Sequence, residues 1–247
     1  MLLRRLRTHF ETQNWAAVVV DFLIVVVGIF VGLQVDQWNQ ERKERVLESQ
    51  YVLSIKRDLQ ADIAELDRTI ELARERAQSG RLLITSLNEN RIDSNPTEFV
   101  WAVYNSLWLN YPSYTRTTVD ELSSTGNLRI IRDESLKSSL AEYYAMVYRH
   151  EQFTVNWRDM QIALEHTFPA IMDFATREAG ILRYSGGPEW INKEFDFNQD
   201  DAEAILKSIV EHPFAKGQIE NMVRIQDAHY LNLVGIQKQA IQIDRSL

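Results

Sequence analysis

Apolar and polar positions divide the chain into three regimes. Residues 1–14, "MLLRRLRTHFETQN", set Leu2, Leu3, Leu6 and Phe10 against Arg4, Arg5 and Arg7, as a small amphipathic helix does. From Trp15 to Val35 the run is almost wholly apolar, and fourteen residues between Val18 and Val35 are Val, Ile, Leu or Phe. From Gln37 the pattern turns amphipathic. Val52, Ile55, Leu59, Ile63, Leu66, Ile70, Ala73 and Ala77 recur three and four apart beside Lys56, Arg57, Asp58, Glu65 and Arg68, which predicts one long stalk helix to about Gln78.

The middle regime has the length of a membrane span. As a helix, Trp15 to Val35 covers roughly 32 Å at ~1.5 Å per residue, against a hydrocarbon core of about 30 Å. Trp15 and Trp38 bracket it as interfacial anchors. The aliphatic residues and Phe contribute roughly −4 to −8 kcal/mol of insertion free energy, and Asp21 costs about 2.5 to 3.5 kcal/mol. The span therefore tolerates its acid. A cleaved signal peptide needs small residues at a processing site, and "GLQVDQW" offers none.

Flanking bases balance, with Arg4, Arg5 and Arg7 upstream and Arg42, Lys43 and Arg45 downstream. Downstream, however, acids interleave with the bases, and Glu41 lies one turn before Arg45. The upstream amphipathic helix suits an anionic cytoplasmic leaflet. The expected topology is an N-terminus inside and a large domain outside.

At ~100° per residue, Asp21 shares a helix side with Asn14, Gly28, Gly32 and Asn39. Gly28 and Gly32 form a G-x-x-x-G pair, which lets helix backbones approach closely in lipid. Intramembrane acids turn toward a protein neighbour or a water cavity, and a chain with one span must find that neighbour in another copy. Asp21, Gly28 and Gly32 are thus the expected oligomer interface. The bland alternative is a protonated or snorkelling Asp21 beside incidental glycines, and a sharper one makes Asp21 a proton or cation site.

Beyond the stalk, "NENRIDSNP" reads as a turn, with Asn95 capping a helix that begins at Pro96. Trp101, Tyr104 and Trp108, then Tyr111 and Tyr114, are expected as core rather than as a ligand wall. Thr118 to Thr125 is a short helix stopped by Gly126. Asp133 caps a long helix expected from Glu134 to about Glu178 with a kink at Pro169. "AGILRYSGGPEWINKEFDFNQ" is the expected non-helical excursion, with a short hairpin as one form. Asp200 is expected to cap a helix ending near Glu211. Pro213 should start the last helix, with Ile219, Val223, Tyr230, Val234 and Ile241 on its apolar side. The fold class is all-α: one N-terminal transmembrane helix (15–36), continuing into a stalk helix and an elongated antiparallel bundle that together make up an extramembrane domain (37–247).

Composition narrows the function. A net charge of −8 with no basic cluster beyond the first residues argues against nucleic acid as a partner. The absence of cysteine removes disulfides, thiolate zinc sites and cysteine nucleophiles together. His9, His150, His166, His212 and His229 fall into no ligand spacing and read as ordinary polar or core residues. No phosphate-binding loop, dinucleotide fingerprint or nucleophile elbow is present. The sequence predicts no enzyme, no cofactor and no metal.

Two stretches carry a resemblance. Asp21, Gly28-Ile29, Leu33-Gln34 and Gln37-Trp38-Asn39, together with "TVDELSSTGNLRIIRDESLKSSLAEYY", resemble an uncharacterised bacterial family of single-pass membrane proteins. Gln37 and Gln40 stand where that family more commonly has Asn and an acid. The resemblance implies topology and a bacterial origin, and the family has no assigned activity. The combined expectation is a bacterial inner-membrane protein with a periplasmic helical domain, in contact with the lipid bilayer, homo-oligomeric, and open to a protein partner in the periplasm. Its expected role is a non-catalytic self-associating scaffold or sensor-like module. An oligomeric channel or ion-coupled component using Asp21 is the alternative, and a membrane-anchored enzyme stands third.

Overall fold

The computed structural model describes residues 15–93, 95–184 and 197–247. The amphipathic segment over 1–14, with His9, and most of the expected non-helical excursion (185–196) lie outside them. All described secondary structure is helical. α1 runs from Trp15 to Glu89, α2 from Pro96 to Asn105, α3 from Thr117 to Ser124, α4 from Glu134 to Ile171, α5 from Phe174 to Tyr184, α6 from Gln199 to Glu211 and α7 from Ala215 to Ser246, with a 3-10 turn at Asn127–Ile130.

α1 is the axis of the molecule. Its 75 residues form one uninterrupted helix about 112 Å long at ~1.5 Å per residue, so the apolar run passes into the stalk without a hinge. Nothing in the sequence breaks it, because α1 contains no proline and its three glycines are spread over 28, 32 and 80. The apolar part is long and apolar enough to cross a membrane. Every side chain from Val18 to Lys43 is exposed, and full burial begins at Ile55.

From Ile55 upward, α7 packs antiparallel along α1, and α4 packs on α7. The C-terminal end of α7 lies beside the start of the domain, where Lys56 Nζ and Gln60 Nε2 donate to Asp244. Two apolar cores result. The lower one joins Ile55, Leu59 and Leu66 of α1 to Leu140, Tyr143 and Val147 of α4 and Leu233, Ile236 and Ala240 of α7. The upper one gathers Leu83, Phe99, Phe168, Leu206, Ile219 and their neighbours beneath α2 and α6.

Most caps follow the sequence. Asn95 accepts from Thr97 N at 2.8 Å with Pro96 in the first turn, and Asp133 accepts from Ser135 N and Leu136 N. Gly126 adopts φ 71°, the left-handed conformation that ends α3. Four expectations need correction. The long helix does not kink and continue to Glu178. It stops at Ile171, two residues after Pro169, and Asp173 starts α5 by accepting from Thr176 N at 2.8 Å. Pro169 has no N–H for the last turn, so that turn is easily lost. Part of the expected excursion, 179–184, is helical. α6 is capped by Asn198 rather than Asp200, in a reciprocal box with Asp201. Pro213 precedes rather than starts the last helix, whose first N–H at Ala215 is taken by His212 Nδ1.

Candidate functional site: a buried polar belt around an aromatic loop

Between the two apolar cores lies a belt of buried polar side chains, and the connection between α2 and α3 runs through it. A connection buried this way carries peptide groups that no helix ladder satisfies, so each needs a partner from outside. Gln226 of α7 donates from Nε2 to the carbonyls of Asn105 at 2.8 Å and Trp108 at 3.0 Å. His229 Nε2 meets the Asn110 carbonyl at 2.7 Å. Arg76 of α1 holds the Asn110 side chain. Asp62 accepts from Thr115 N at 2.7 Å, and Asp58, one turn earlier, accepts from Thr118 N at 3.0 Å. α3 has no cap from its own chain neighbours, so the α1 carboxylate at Asp58 serves as one.

Two pairs of side chains cross the belt. Tyr143 of α4 donates its hydroxyl to Asp62 Oδ2 at 2.6 Å. His150 of α4 and His229 of α7 meet at 3.1 Å between Nε2 and Nδ1, and Tyr114 reaches His150 Nδ1 at 3.3 Å. The Asn110 carbonyl only accepts, so His229 carries its hydrogen on Nε2 and leaves Nδ1 as an acceptor. His150 must then donate from Nε2 and accept on Nδ1 from the Tyr114 hydroxyl. The result is a one-way chain of hydrogen bonds through two neutral rings: Tyr114 to His150 to His229 to Asn110. Trp157 packs edge-on against both imidazoles, at 6.1 and 5.6 Å between ring centres.

Burial sets the charge states. It pushes both histidines down to about 4, and His150 adds to the effect on His229. Burial also raises Asp62 above the ordinary carboxylate range, against the hydrogen bonds from Tyr143 and Thr115 that favour its ionised form. Tyr114, Tyr143 and Tyr144 are all shifted upward, chiefly by burial and then by neighbouring carboxylates. Among the described residues, no three His, Asp or Glu side chains converge in a way that would hold a metal ion. Surface grooves lie between α6 and Asn90–Ile92, between α1 and α2, and between the end of α4 and α6.

The residues singled out in the sequence as an interface are all in the apolar part of α1. Asp21, Gly28 and Gly32 are exposed, and a Cβ added at either glycine would meet nothing within 4 Å. Trp38 is exposed at the far end of the run, and Trp15 begins the helix. The belt, by contrast, was invisible to spacing. His150 and His229 are 79 residues apart, and each is unremarkable in its own segment. One signal was present: Asp62, Thr69 and Arg76 recur seven apart on the face of α1 that buries Leu59, Leu66 and Ala73.

The model of a family of unknown function, DUF6090, matches residues 21–164, more than half of the chain. The chain belongs to DUF6090. The DUF6090 match begins at Asp21 and ends at Leu164 within α4, so it takes in most of the apolar run, Asp58, Asp62, the aromatic loop and His150. α7, with Gln226 and His229, lies beyond it. No curated protein and no solved structure matches the chain.

Proposed function

We propose that this DUF6090 chain is a single-pass membrane protein that self-associates through the Asp21 face of α1. It carries a non-catalytic helical domain as a scaffold or sensor-like interaction module. The observation behind this reading is the unbroken phase of α1. At ~100° per residue, Gly28, Gly32, Asn39, Val46 and Leu53 all fall within about 40° of Asp21. Val46 and Leu53 are the large apolar side chains that α1 leaves exposed beyond Trp38, at 53% and 58%. Ile55, Leu59 and Leu66, which bury against the domain, fall about 160° to 200° away. A second copy could therefore lie along the Asp21 face, from the apolar run into the stalk, with the two domains turned outward.

The chain has no cysteine, so single cysteines report proximity on a clean background. In membranes, Val46→Cys and Leu53→Cys should form crosslinked dimers in high yield, and Glu41→Cys, on the opposite side, should not. Equal yields at all three would refute the proposed face. An N-in orientation places the domain in the periplasm of a bacterial inner membrane. A reporter active only in that compartment, fused after Leu247, should then be active, and inactivity there reverses the topology.

A further inference from the structure

The aromatic loop is held by contacts of unequal kinds. Gln226 and Arg76 keep their donors at any ordinary pH, whereas the Tyr114–His150–His229–Asn110 chain depends on both rings being neutral. We propose that His150 and His229 form a proton-operated latch on loop 106–116: neutral rings seat the loop, and proton uptake by the pair in acid releases it while the long helices stay formed.

Geometry decides where protons can go. His229 has Nε2 committed to a carbonyl and Nδ1 occupied by the hydrogen of His150 Nε2. A proton on His229 Nδ1 would set two N–H groups against each other across 3.1 Å, so it breaks the inter-ring bond. His150 Nδ1 is different, because Tyr114 can turn its hydroxyl from donor to acceptor. The first proton therefore goes to His150, and the second is the one that parts α4 from α7 at this level. Burial, which holds both rings near 4, keeps the latch closed at neutral pH.

Surrounding charges favour that order. Arg76 of α1 faces His229 and opposes a charge there. On the His150 side, Glu151 of α4 is paired with Arg116 from the loop, and Asp62 of α1 faces Tyr114. Tyr111, whose ring lies edge-on to His229 at 6.0 Å, faces Arg158 of α4. On α7, Asp227 is engaged with Arg81 rather than with the pair. Arg76 opposes a charge on His229 and has no counterpart acting on His150, so the two rings are not equivalent. With both rings charged, His229 still donates to Asn110, but two desolvated cations then face each other beneath Tyr111 and Tyr114, which lie edge-on to them at 6.0 and 6.2 Å, and they reach water only when the loop lifts away.

The full chain in detergent micelles should be followed by amide hydrogen exchange from pH 7 to 4, with the intrinsic pH dependence of exchange divided out. Protection of loop 106–116 should fall at least tenfold between pH 7 and 4.5, while α1 above Ile55 and α7 stay protected. His229→Gln keeps an amide donor for Asn110 and does not titrate, so its loop should stay protected through the same interval. His150→Gln serves the same purpose if His229→Gln does not give a helical spectrum at pH 7. A variant with His9, His166 and His212 changed to Gln leaves only the pair, and its ring carbon shifts should show proton uptake in the interval of loop release. The latch is overturned if the loop keeps its protection to pH 4, or if it loses protection together with α1 and α7. It is equally overturned if the glutamine variants open as the parent does, or if the two rings titrate outside the interval of release.

Discussion

Tyr143 donates to Asp62 across 2.6 Å with neither side chain exposed, which ties α4 to α1 in the middle of the lower core. Asp62 also accepts from the Thr115 amide, so one carboxylate fixes both a helix and a loop. Tyr143→Phe removes one donor and leaves Asp62 less compensated, at an expected cost of about 1 to 3 kcal/mol. Urea denaturation at pH 7 measures it. Phe fills the same space, so an effect below a few tenths of a kcal/mol would mean the bond contributes little.

Asp62 also gives the domain a distinctive pH dependence. Its folded-state pKa is raised above 3.8, so the folded chain holds that proton more tightly than the unfolded chain does. Its contribution to stability is therefore fully present below 3.8 and declines as pH rises through the folded value. Asp62→Asn removes this component while keeping an oxygen for Thr115 N. The difference in unfolding free energy between Asp62→Asn and the parent should widen in favour of the variant as pH rises from 4. A constant difference contradicts the assignment.

The histidines act in the opposite sense. Their folded values, near 4 against an ordinary 6.5, mean that the unfolded chain takes up protons first as pH falls. Stability they support is complete above 6.5 and is lost as pH falls from there toward 4, by up to about 3 kcal/mol per ring. A double-mutant cycle with His150→Ala and His229→Ala at pH 7 should give a coupling of about 0.5 to 3 kcal/mol. Additivity would place the two rings in independent roles.

Two glycines in the domain are fixed by their neighbours. A Cβ at Gly180 would run into the Tyr104 ring, and one at Gly80 would lie 2.8 Å from Val223 Cγ1. Tyr104 and Val223 are both buried. Gly180→Ala and Gly80→Ala should each destabilise by about 1 to 3 kcal/mol, the usual effect of overpacking. Thermal melts of the two variants check this, and unchanged midpoints would mean the rings and helices there give way freely.

Gly28 and Gly32 should behave in the reverse way. Among the described residues, nothing outside the helix's own backbone lies within 4 Å of an added Cβ, so replacing both by Ile should leave the stability of the domain unchanged. It should instead lower the crosslinking yield at Val46→Cys, because bulk at the glycines separates the helices. Asp21→Leu should lower it less, since an interhelical hydrogen bond in lipid is worth only about 0.6 kcal/mol. Undiminished crosslinking in the double variant would move the contact to the stalk.

Helix ends were legible at Asn95, Asp133 and Gly126, because a cap is local, whereas the caps at Asn198 and Asp173 were missed. The apolar column of α1 was legible too, from Ile55 to Ala77. The face of α7 was not. The expected stripe included Tyr230, Val234 and Ile241, but the buried face runs through Met222, Gln226, His229, Leu233, Ile236 and Ala240. Gln226 and His229 masked it, because each is polar and its partner is a peptide group or ring far away in sequence. The same holds for Asp62 and Arg76, whose purpose exists only once loop 106–116 lies against them. Periodicity finds surfaces that exclude water, and it cannot find a surface shaped to satisfy another segment's backbone.

The absence of a hinge in α1 makes it a lever. Pivoted at Val35, a tilt of about 10° carries Glu89 sideways by roughly 14 Å over a ~1.5 Å rise per residue. A turn of the apolar end about its own axis is likewise delivered, undiminished, to the faces that carry Asp58, Asp62 and Arg76. Mechanical input at one end of the molecule is therefore carried to where α1 grips the aromatic loop.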